Sequence, residues 1–594
     1  MTCVVAVPYT AFQKAGAPPI ARRPRRITWD VSPRDPEFEA RLATELALPR
    51  PLLAVLRSRG LVTASAIRSF LSPASGGLYD PFLLPDMGPA AERLDRALGG
   101  GEQVLVHGDY DADGVTSAAL LVRVLSRLGA DVHYFVPHRF HDHYGLSERA
   151  VRAAGRKGVG LVLALDCGVS DHDAVAAAQD VGADVIVVDH HQPGPSLPGG
   201  ALVVNPKRAD ATYPFDGLTA VGLTYKLAAA LCQLRGISED YLSRAFLDLV
   251  TLGTIADVAP LVDENRALCA AGLSLLPQTR KAGLRALLDC CQVNGRASAS
   301  DVAFRIAPRL NAVGRMGDAH QALELLLTDD EDQALRLALV LDTLNRQRQR
   351  AQEKTYSEAR RVAEELLDVA DDPVLLVAAE GWHLGVVGIV ASKLVEDFGR
   401  PAVVIAKEDG LCRGSARSIE GFDIAAAFGE CHDLLERYGG HALAGGLTVA
   451  RERIPDLRRR LGEIAASRLS SGMREPRLAV DCEVRAEEIT PELAEALTGM
   501  EPCGQDNPAP VFMTRGFHVV SVRRVGRDAN HLKLTVAADS HAFDAIGFGM
   551  GDEAEWLRPR MRVDVVHAPE LNEFNGSVGL QLRLVGLRQA QAGV

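Results

Sequence analysis

Three absences narrow the field before any motif is read. No apolar run in the 594 residues reaches the roughly 18 uninterrupted positions that a membrane-crossing helix needs. The first 20 residues also lack the charged start and apolar core of a secretion signal. The chain is therefore expected to be soluble and cytoplasmic, with no membrane partner. CxxC pairs are missing too: the ten cysteines are scattered from Cys3 to Cys503 without regular spacing, which argues against a disulfide framework or a zinc ribbon. Buried small hydrophobes are their expected role. Positive charge is not in excess either, and a net charge of −12 speaks against indiscriminate nucleic-acid binding, although local basic patches can override the average.

What is present reads as globular. With 47% apolar and 24% charged residues the chain can bury substantial cores. Its length implies three to five domains at about 100–200 residues each. A basic arm, "ARRPRR" (21–26), is followed by helical patterning to about residue 98, as in "PRPLLAVLRSRG" (49–60). From Val104 the texture changes to short β-branched runs alternating with Ala- and Leu-rich helical segments, the signature of βαβ units around a parallel sheet. The expected strands are "VLV" (104–106), "VHYFV" (132–136), "LVLAL" (161–165), "VIVV" (185–188) and "ALVV" (201–204).

In an open parallel sheet, ligands bind beyond the carboxyl ends of the strands. The first strand runs into His107-Gly-Asp109-Tyr-Asp111-Ala-Asp113-Gly114, the third into Asp166-Cys-Gly168 and the fourth into Asp189-His190-His191. A later helix carrying "LGTIADVAP" brings Asp257 within reach. A lone DxDxDG turn is most simply a solvated loop, and the EF-hand pattern fails for want of its bidentate glutamate. Four segments that deliver carboxylates and imidazoles to one sheet edge are a different matter. Crowded carboxylates repel in water but become favourable around divalent cations, and oxygen ligands with one or two imidazoles suit manganese or magnesium better than zinc. Two ions are expected, about 3.5–4 Å apart, able to clamp a phosphoryl group and activate water for in-line attack. Glycines 108, 114 and 168 allow the tight turns and close backbone approach such a site needs.

"HGDYDADG", the Asp166 segment, "VDHH" and Asp257 resemble the four motifs of the DHH phosphoesterase superfamily. Further blocks, "RIAPRLNAVGRMG" (305–317), "GWHLGVVGIVASKL" (381–394), "RGSARSIEGFDI" (413–424), "GGHALAGGL" (439–447) and "PCGQDNPAPVF" (502–512), resemble its bacterial RecJ exonuclease family, in order. The resemblance covers about residues 80 to 590. It implies Asp111, Asp113, Asp166, His190 and Asp257 as metal ligands, with Asp166 the bridge and manganese preferred over magnesium. Asp109 either binds metal or orients the attacking water. Asp189 is expected to accept the second ring N–H of the ligand histidine, and His191 to donate to the developing negative charge on the phosphate. His107 is a reserve ligand, its alternative being a histidine hydrogen-bonded beneath the sheet.

The second half is expected to open with one helix from about residue 320 to 368, since "DQALRLALVLDTLNRQRQRAQEKTYSEARRVAEELLD" has helical apolar spacing and neither glycine nor proline. Its arginines 346, 348, 350, 360 and 361 read as a solvated face that could also track a strand. Arg305, Arg309 and Arg315, with Asn311 among them, stand free of acidic residues until Asp318 and are candidate substrate contacts. Beyond the helix, "PVLLVAA" and "PAVVIA" read as buried strands and "HLGVVGIVASKLV" as a helix, resembling the DHH-associated domain. There "GGHALAGG" (439–446) is expected to present backbone N–H groups near a helix start. In the family this lobe faces the metals, which implies that Ser415, Arg417 and His441 hold a 5′ phosphate or neighbouring nucleotide.

The last 120 or so residues alternate polar and apolar positions in "FHVVSVRRV", "HLKLTV", "FDAIGF", "RVDVVH" and "VGLQLRLVGL", with Asn575-Gly576 as a hairpin turn. Five such strands suit an OB-type barrel, with Phe548 and Phe574 as candidate base stackers and Arg523, Arg524 and Lys533 following the backbone. The expected architecture is α/β: an N-terminal arm and helical lead-in (1–98), a parallel-sheet DHH domain (99–320), a connecting helix (321–370), a smaller DHH-associated domain (371–470) and an OB-fold barrel (475–590). By the resemblance the activity is 5′→3′ exonucleolytic hydrolysis of single-stranded DNA, in recombination and repair, with a helicase and a single-strand-binding protein as partners. A cleft sized for one backbone excludes a duplex about 20 Å across. Two rival readings fit less well. A phosphodiesterase for short oligonucleotides or cyclic dinucleotides, or a pyrophosphatase, does not call for the terminal barrel, and a non-catalytic strand-binding relative would lack part of the ligand set.

Overall fold

The computed structural model describes residues 28–590 apart from 74–76, 140, 141, 143, 144, 371, 470–476, 527, 575 and 576. The basic segment 21–26, the Asn575-Gly576 turn and the Phe574 side chain lie outside the described residues. The chain divides into two compact units, residues 73–350 with 502–507, and the remainder. Among the described residues no helix is long and apolar enough to cross a membrane.

In the first unit, strands Gln103–Gly108, Asp131–Phe135, Val159–Leu165, Asp184–Val188 and Ala201–Val204 form one wholly parallel sheet. Its central runs of Val, Leu and Ile are buried on both faces, as helices covering both sides require. Successive side chains point to opposite faces. Val104, Val106, Leu161, Leu163, Ile186 and Val188 join one core with the helices Met87–Gly100, Ala112–Arg127, Ala220–Leu234 and Glu239–Ala256. Leu105, Val162, Ala164, Val185 and Val187 join the other, with Glu148–Gly155 and His172–Asp180.

Numbered along the chain, the lateral order of these strands is 2-1-3-4-5. In this doubly wound order the connections diverge from the adjacent first and third strands, leaving a crevice beyond their carboxyl ends. Register sharpens the point. Gly108 is level with Leu165, and Leu165 with Val188, so the next residues, Asp109, Asp166 and Asp189, emerge side by side.

The long helix runs Glu331–Ala370, not from about residue 320 as expected. His320–Leu327 is a separate helix, because Thr328 is extended and Asp330 Oδ1 accepts the Gln333 N–H at 2.6 Å to cap a new start. In the second unit, strands Leu375–Glu380, Ala402–Lys407, Leu411–Arg417, Arg437–His441 and Ala444–Ala450 form a sheet in lateral order 4-5-3-2-1, parallel only between the first two. The segment 439–446, expected to present backbone N–H groups near a helix start, lies beside the start of helix Ile424–Gly429 but is itself paired as strand. Gly439 pairs with Gly446 and His441 with Ala444, so the segment is a hairpin turning at Ala442-Leu443. Gly440 has φ 142°, and a Cβ there would lie 2.3 Å from the Ala444 carbonyl oxygen, so glycine serves close strand pairing. The tip is tied to the chain beside it: Ala442 O accepts the Ile424 N–H and Leu443 O the Ser418 N–H.

At the carboxyl end, strands Phe512–Val525, His531–Ala538, His541–Gly547, Arg562–Phe574 and Ser577–Gln589 close into a five-stranded barrel. The first pairs with the second and fourth, the third with the second and fifth, and the fourth with the fifth. Phe512, Phe517, Val519, Leu534, Val536, Val563, Val565 and Leu582 are buried, the inward half of each alternating pattern.

Candidate metal centre

The first carboxylates stand on the turn between strand Gln103–Gly108 and helix Ala112–Arg127. Close backbone approach shapes that turn. A Cβ on Gly114 would come within 2.5 Å of Asp109 N, and one on Gly108 within 2.8 Å of Gly114 O. Asp111 caps the helix, its Oδ1 accepting the N–H groups of Asp113 at 3.0 Å and Gly114 at 3.2 Å. Asp113 is fully buried and accepts Ala220 N–H at 2.8 Å and Val221 N–H at 2.9 Å, at the positive end of helix Ala220–Leu234.

Asp166 follows the third strand with φ 63°, a left-handed conformation that Asp tolerates better than bulkier residues, while its N–H stays bonded to Val188 O at 3.0 Å. Asp257 closes helix Glu239–Ala256, and the next residue, Val258, has φ 59°, a strained value for a β-branched side chain. His190 joins these segments. Its Nε2 lies 3.3 Å from Asp166 Oδ1, 3.8 Å from Asp257 Oδ2 and 3.9 Å from Asp113 Oδ2. Ligand atoms of Asp109, Asp111 and Asp166 form a second group within 4.8 Å of one another.

The electrostatics are those of a cation site. Burial, then repulsion from neighbouring carboxylates, raises Asp109, Asp113 and Asp166 well above the usual carboxylate range. Burial and the charge of Asp111 push Asp257 up to about 7. His190 is lowered to about 3 by burial and by His191, which leaves it a neutral imidazole suited to a metal. Among the described residues, Asp109 Oδ1 and Asp166 Oδ1 are buried without a hydrogen-bond partner. Two orphaned carboxylate oxygens in a cluster with a neutral histidine fit a divalent cation, whose charge would offset the desolvation that burial imposes on them.

The histidine pair departs from expectation in one detail. Asp189 Oδ1 accepts from the ring Nδ1 of His191 at 2.7 Å and from its backbone N–H at 3.0 Å, so Asp189 orients His191, not His190. Its other oxygen accepts the Val169 N–H at 3.1 Å. Burial is the largest influence and opposes charging of His191, but the Asp189 hydrogen bond and the charges of Asp189, Asp257 and Asp109 together outweigh it and the imidazole is raised. His107 lies outside the cluster: it is fully buried, its Nε2 accepts the Ser147 N–H at 3.1 Å, and burial lowers it to about 4.

Among the candidate substrate residues, Arg309 is ion-paired with Asp342 at 2.8 Å, and Asn311 Oδ1 accepts the Ala112 N–H at 2.8 Å. Arg315 is near enough to Tyr110 to lower the phenol, although burial and Asp109 dominate and push it up to about 12. On strand Leu411–Arg417, Arg417 donates to Ser415 Oγ at 3.1 Å, and both approach the position a Gly388 side chain would fill. His441 is exposed on the hairpin. On the barrel, Phe548 meets His531 edge-on at 5.4 Å, Arg524 pairs with Glu555, and Lys533, level with Arg523, pairs with Asp544.

Three contributors escape a motif reading. Asn205, fully buried after the last strand, donates to His191 O at 2.9 Å and accepts the Lys207 N–H at 2.8 Å. Lys207 in turn lowers both His190 and Asp257 through its charge. The available signal is "NPK" following a strand at the same sheet edge. Arg139 places its guanidinium 5.0 Å from the Tyr110 ring centroid, a cation–π contact over the aspartate turn.

Comparison with known proteins agrees with this organisation. Family models match as "DHH family, N-terminal domain" over residues 103–254, "DHHA1 domain" over 358–467 and "RecJ OB domain" over 480–586. The single-stranded-DNA-specific exonuclease RecJ of Bacillus subtilis is 38% identical over 562 residues, covering 94% of this chain and 70% of that protein. The Escherichia coli protein of the same description is 34% identical, covering 90% of this chain and 95% of its own length. The crystal structure of RecJ from Thermus thermophilus in complex with Mn2+ superposes with a TM-score of 0.80 at 32% identity, over 96% of this chain and 81% of that one. The Mg2+ complex gives 0.75.

Proposed function

The chain belongs to the RecJ family of single-stranded-DNA-specific exonucleases, and from that premise we propose how its residues carry out the reaction. It is a metal-dependent exonuclease of DNA recombination and repair that hydrolyses phosphodiester bonds of single strands. The observation that carries the reading is the convergence of carboxylates and histidines from four chain segments, with the orphaned buried oxygens of Asp109 and Asp166 among them.

In our reading Asp111, Asp113, Asp166, His190 and Asp257 would hold two divalent cations, manganese in preference to magnesium, with Asp166 the residue that would serve both. Such cations would supply the charge that polarises a phosphodiester and makes water a competent nucleophile at neutral pH. Asp109 orients the attacking water or adds a ligand oxygen. His191, held in place by Asp189 and with its protonated form favoured by that carboxylate, donates to the negative charge that develops on the phosphate. Asn205 fixes the main chain of His191 and sets Lys207 beside the cluster, where its charge favours an anionic substrate.

Digestion proceeds 5′→3′, with Ser415, Arg417, His441 and Arg315 as contacts to the strand. The barrel supplies further binding through Arg523 and Phe548. A cytoplasmic location and work beside a helicase and a single-strand-binding protein complete the proposal. The test is digestion of one strand carrying distinguishable labels at its two ends, with manganese or magnesium. Mononucleotides released first from the 5′ end, faster with manganese, are expected. Stalling on long strands, or release from the 3′ end, would contradict it.

A further inference from the structure

Helix Ala307–Met316 contains the "RLNAVG" block, and its residues are occupied in an unexpected way. We propose that this helix is a brace for the aspartate turn and that Asn311 is a positioning residue acting through the Ala112 N–H, not a contact to the strand. The proposal rests on the metal-centre reading given above.

Ala112 begins helix Ala112–Arg127 and lies between two proposed ligands, Asp111 and Asp113. A helix start leaves its first N–H groups without intrahelical partners. Here those donors are shared out: Asp111 takes the N–H groups of Asp113 and Gly114, and Asn311 takes that of Ala112, at 2.8 Å. Without Asn311 the Ala112 N–H competes for the Asp111 carboxylate and draws it from a cation. One turn further along the brace, a Cβ on Gly314 would come within 2.7 Å of the Tyr110 carbonyl oxygen, so helix and turn meet backbone to backbone. Asn311 and Gly314 are three residues apart and share one helix face.

The brace is itself anchored. Arg309 reaches Asp342 of the long helix through Nη2 at 2.8 Å and Nε at 3.0 Å, with both side chains largely buried. Just before it, Val302–Ile306 is a π-helical turn in which the Ala307 N–H donates to the Val302 carbonyl, five residues back. Such turns are rare, cluster at functional sites and change the phase of the helix that follows. Arg309 therefore ties the helix that braces the aspartate turn to the long helix.

The experiment is calorimetric titration of the full chain with Mn2+, for the parent, N311A and N311D, together with the KM for a single strand at saturating Mn2+. N311A should bind Mn2+ about tenfold or more weakly, in the range typical of an outer-shell partner, with KM for the strand unchanged within about twofold. N311D keeps an oxygen acceptor and should bind Mn2+ within about threefold of the parent, also with unchanged KM. Unaltered Mn2+ affinity in N311A overturns the proposal. Should N311A fail to fold, a raised KM with unaltered Mn2+ affinity in N311D overturns it as well. A parent chain that binds no Mn2+ sinks the metal-centre reading and this proposal with it, whereas the other two outcomes sink the brace alone.

Discussion

The aspartate turn at 109–114 and the hairpin at 439–446 are both glycine-rich and both belong to α/β units, yet their surroundings are opposite. Asp109 and Asp113 are buried, as are Asp166 and Asp189 beside them, whereas Arg437–His441 is exposed along its whole length. On the turn, glycine lets a strand end fold against a helix start; in the hairpin it lets two strands close up. The difference teaches where chemistry is built. Buried like charges are tolerated only when something neutralises them, so burial of the carboxylates within one unit marks a site prepared for cations. An exposed hairpin carries no such internal demand and suits recognition of a ligand that arrives from solvent.

The sharpest way to break this contrast is to remove a buried carboxylate. D166N keeps a residue that tolerates the left-handed backbone and should lose activity well beyond the roughly 10–100-fold typical of an outer-shell change, measured as mononucleotide release from a labelled strand. D189N, which releases His191 from its orienting carboxylate, should cost about 10–100-fold in kcat with Mn2+ affinity little changed by calorimetry.

Metal removal probes the same burial through stability. Asp257 is held at about 7 in the fold against 3.8 for its ordinary value. A raised carboxylate binds its proton more tightly in the native state, so its favourable contribution is present below about pH 4 and is lost as pH rises towards 7. The metal-free protein should therefore unfold at lower denaturant as pH is raised through that window, and saturating Mn2+ should remove most of the trend. The smallest effect is expected beside the exposed hairpin: R417A should reduce the preference for 5′-phosphorylated ends several-fold, read from competition between phosphorylated and unphosphorylated strands, with Mn2+ affinity unmoved.

Much of the centre is legible in the sequence because residue type and strand ending coincide. Short β-branched runs identify the strands, and whatever follows them in a parallel sheet shares one edge, which is enough to gather Asp109, Asp166 and His190. The barrel is legible for a similar reason, since alternation along each strand separates its core from its surface. Side-chain direction is not legible in the same way. Asp189 precedes two adjacent histidines with equal claims on it, and only the conformation after the strand turns His191 back to its carboxylate. Asn311 lies among arginines and reads as part of a binding patch, but its partner is a main-chain donor 199 residues away, invisible to local patterning. "GGHALAGG" has the composition of a phosphate-binding loop, and pairing of Arg437–His441 with Ala444–Ala450 settles it as a hairpin instead. The long helix begins at Glu331 because Asp330 caps it, a signal outweighed in the sequence by uninterrupted apolar periodicity.

The most direct test is electron paramagnetic resonance of the full chain titrated with Mn2+, parent beside D166N. Two bound ions per chain with exchange-coupled spectra are predicted for the parent, and loss of the coupled signal for D166N. A parent spectrum showing only free Mn2+, or a coupled pair that survives in D166N, would contradict a centre built on Asp166.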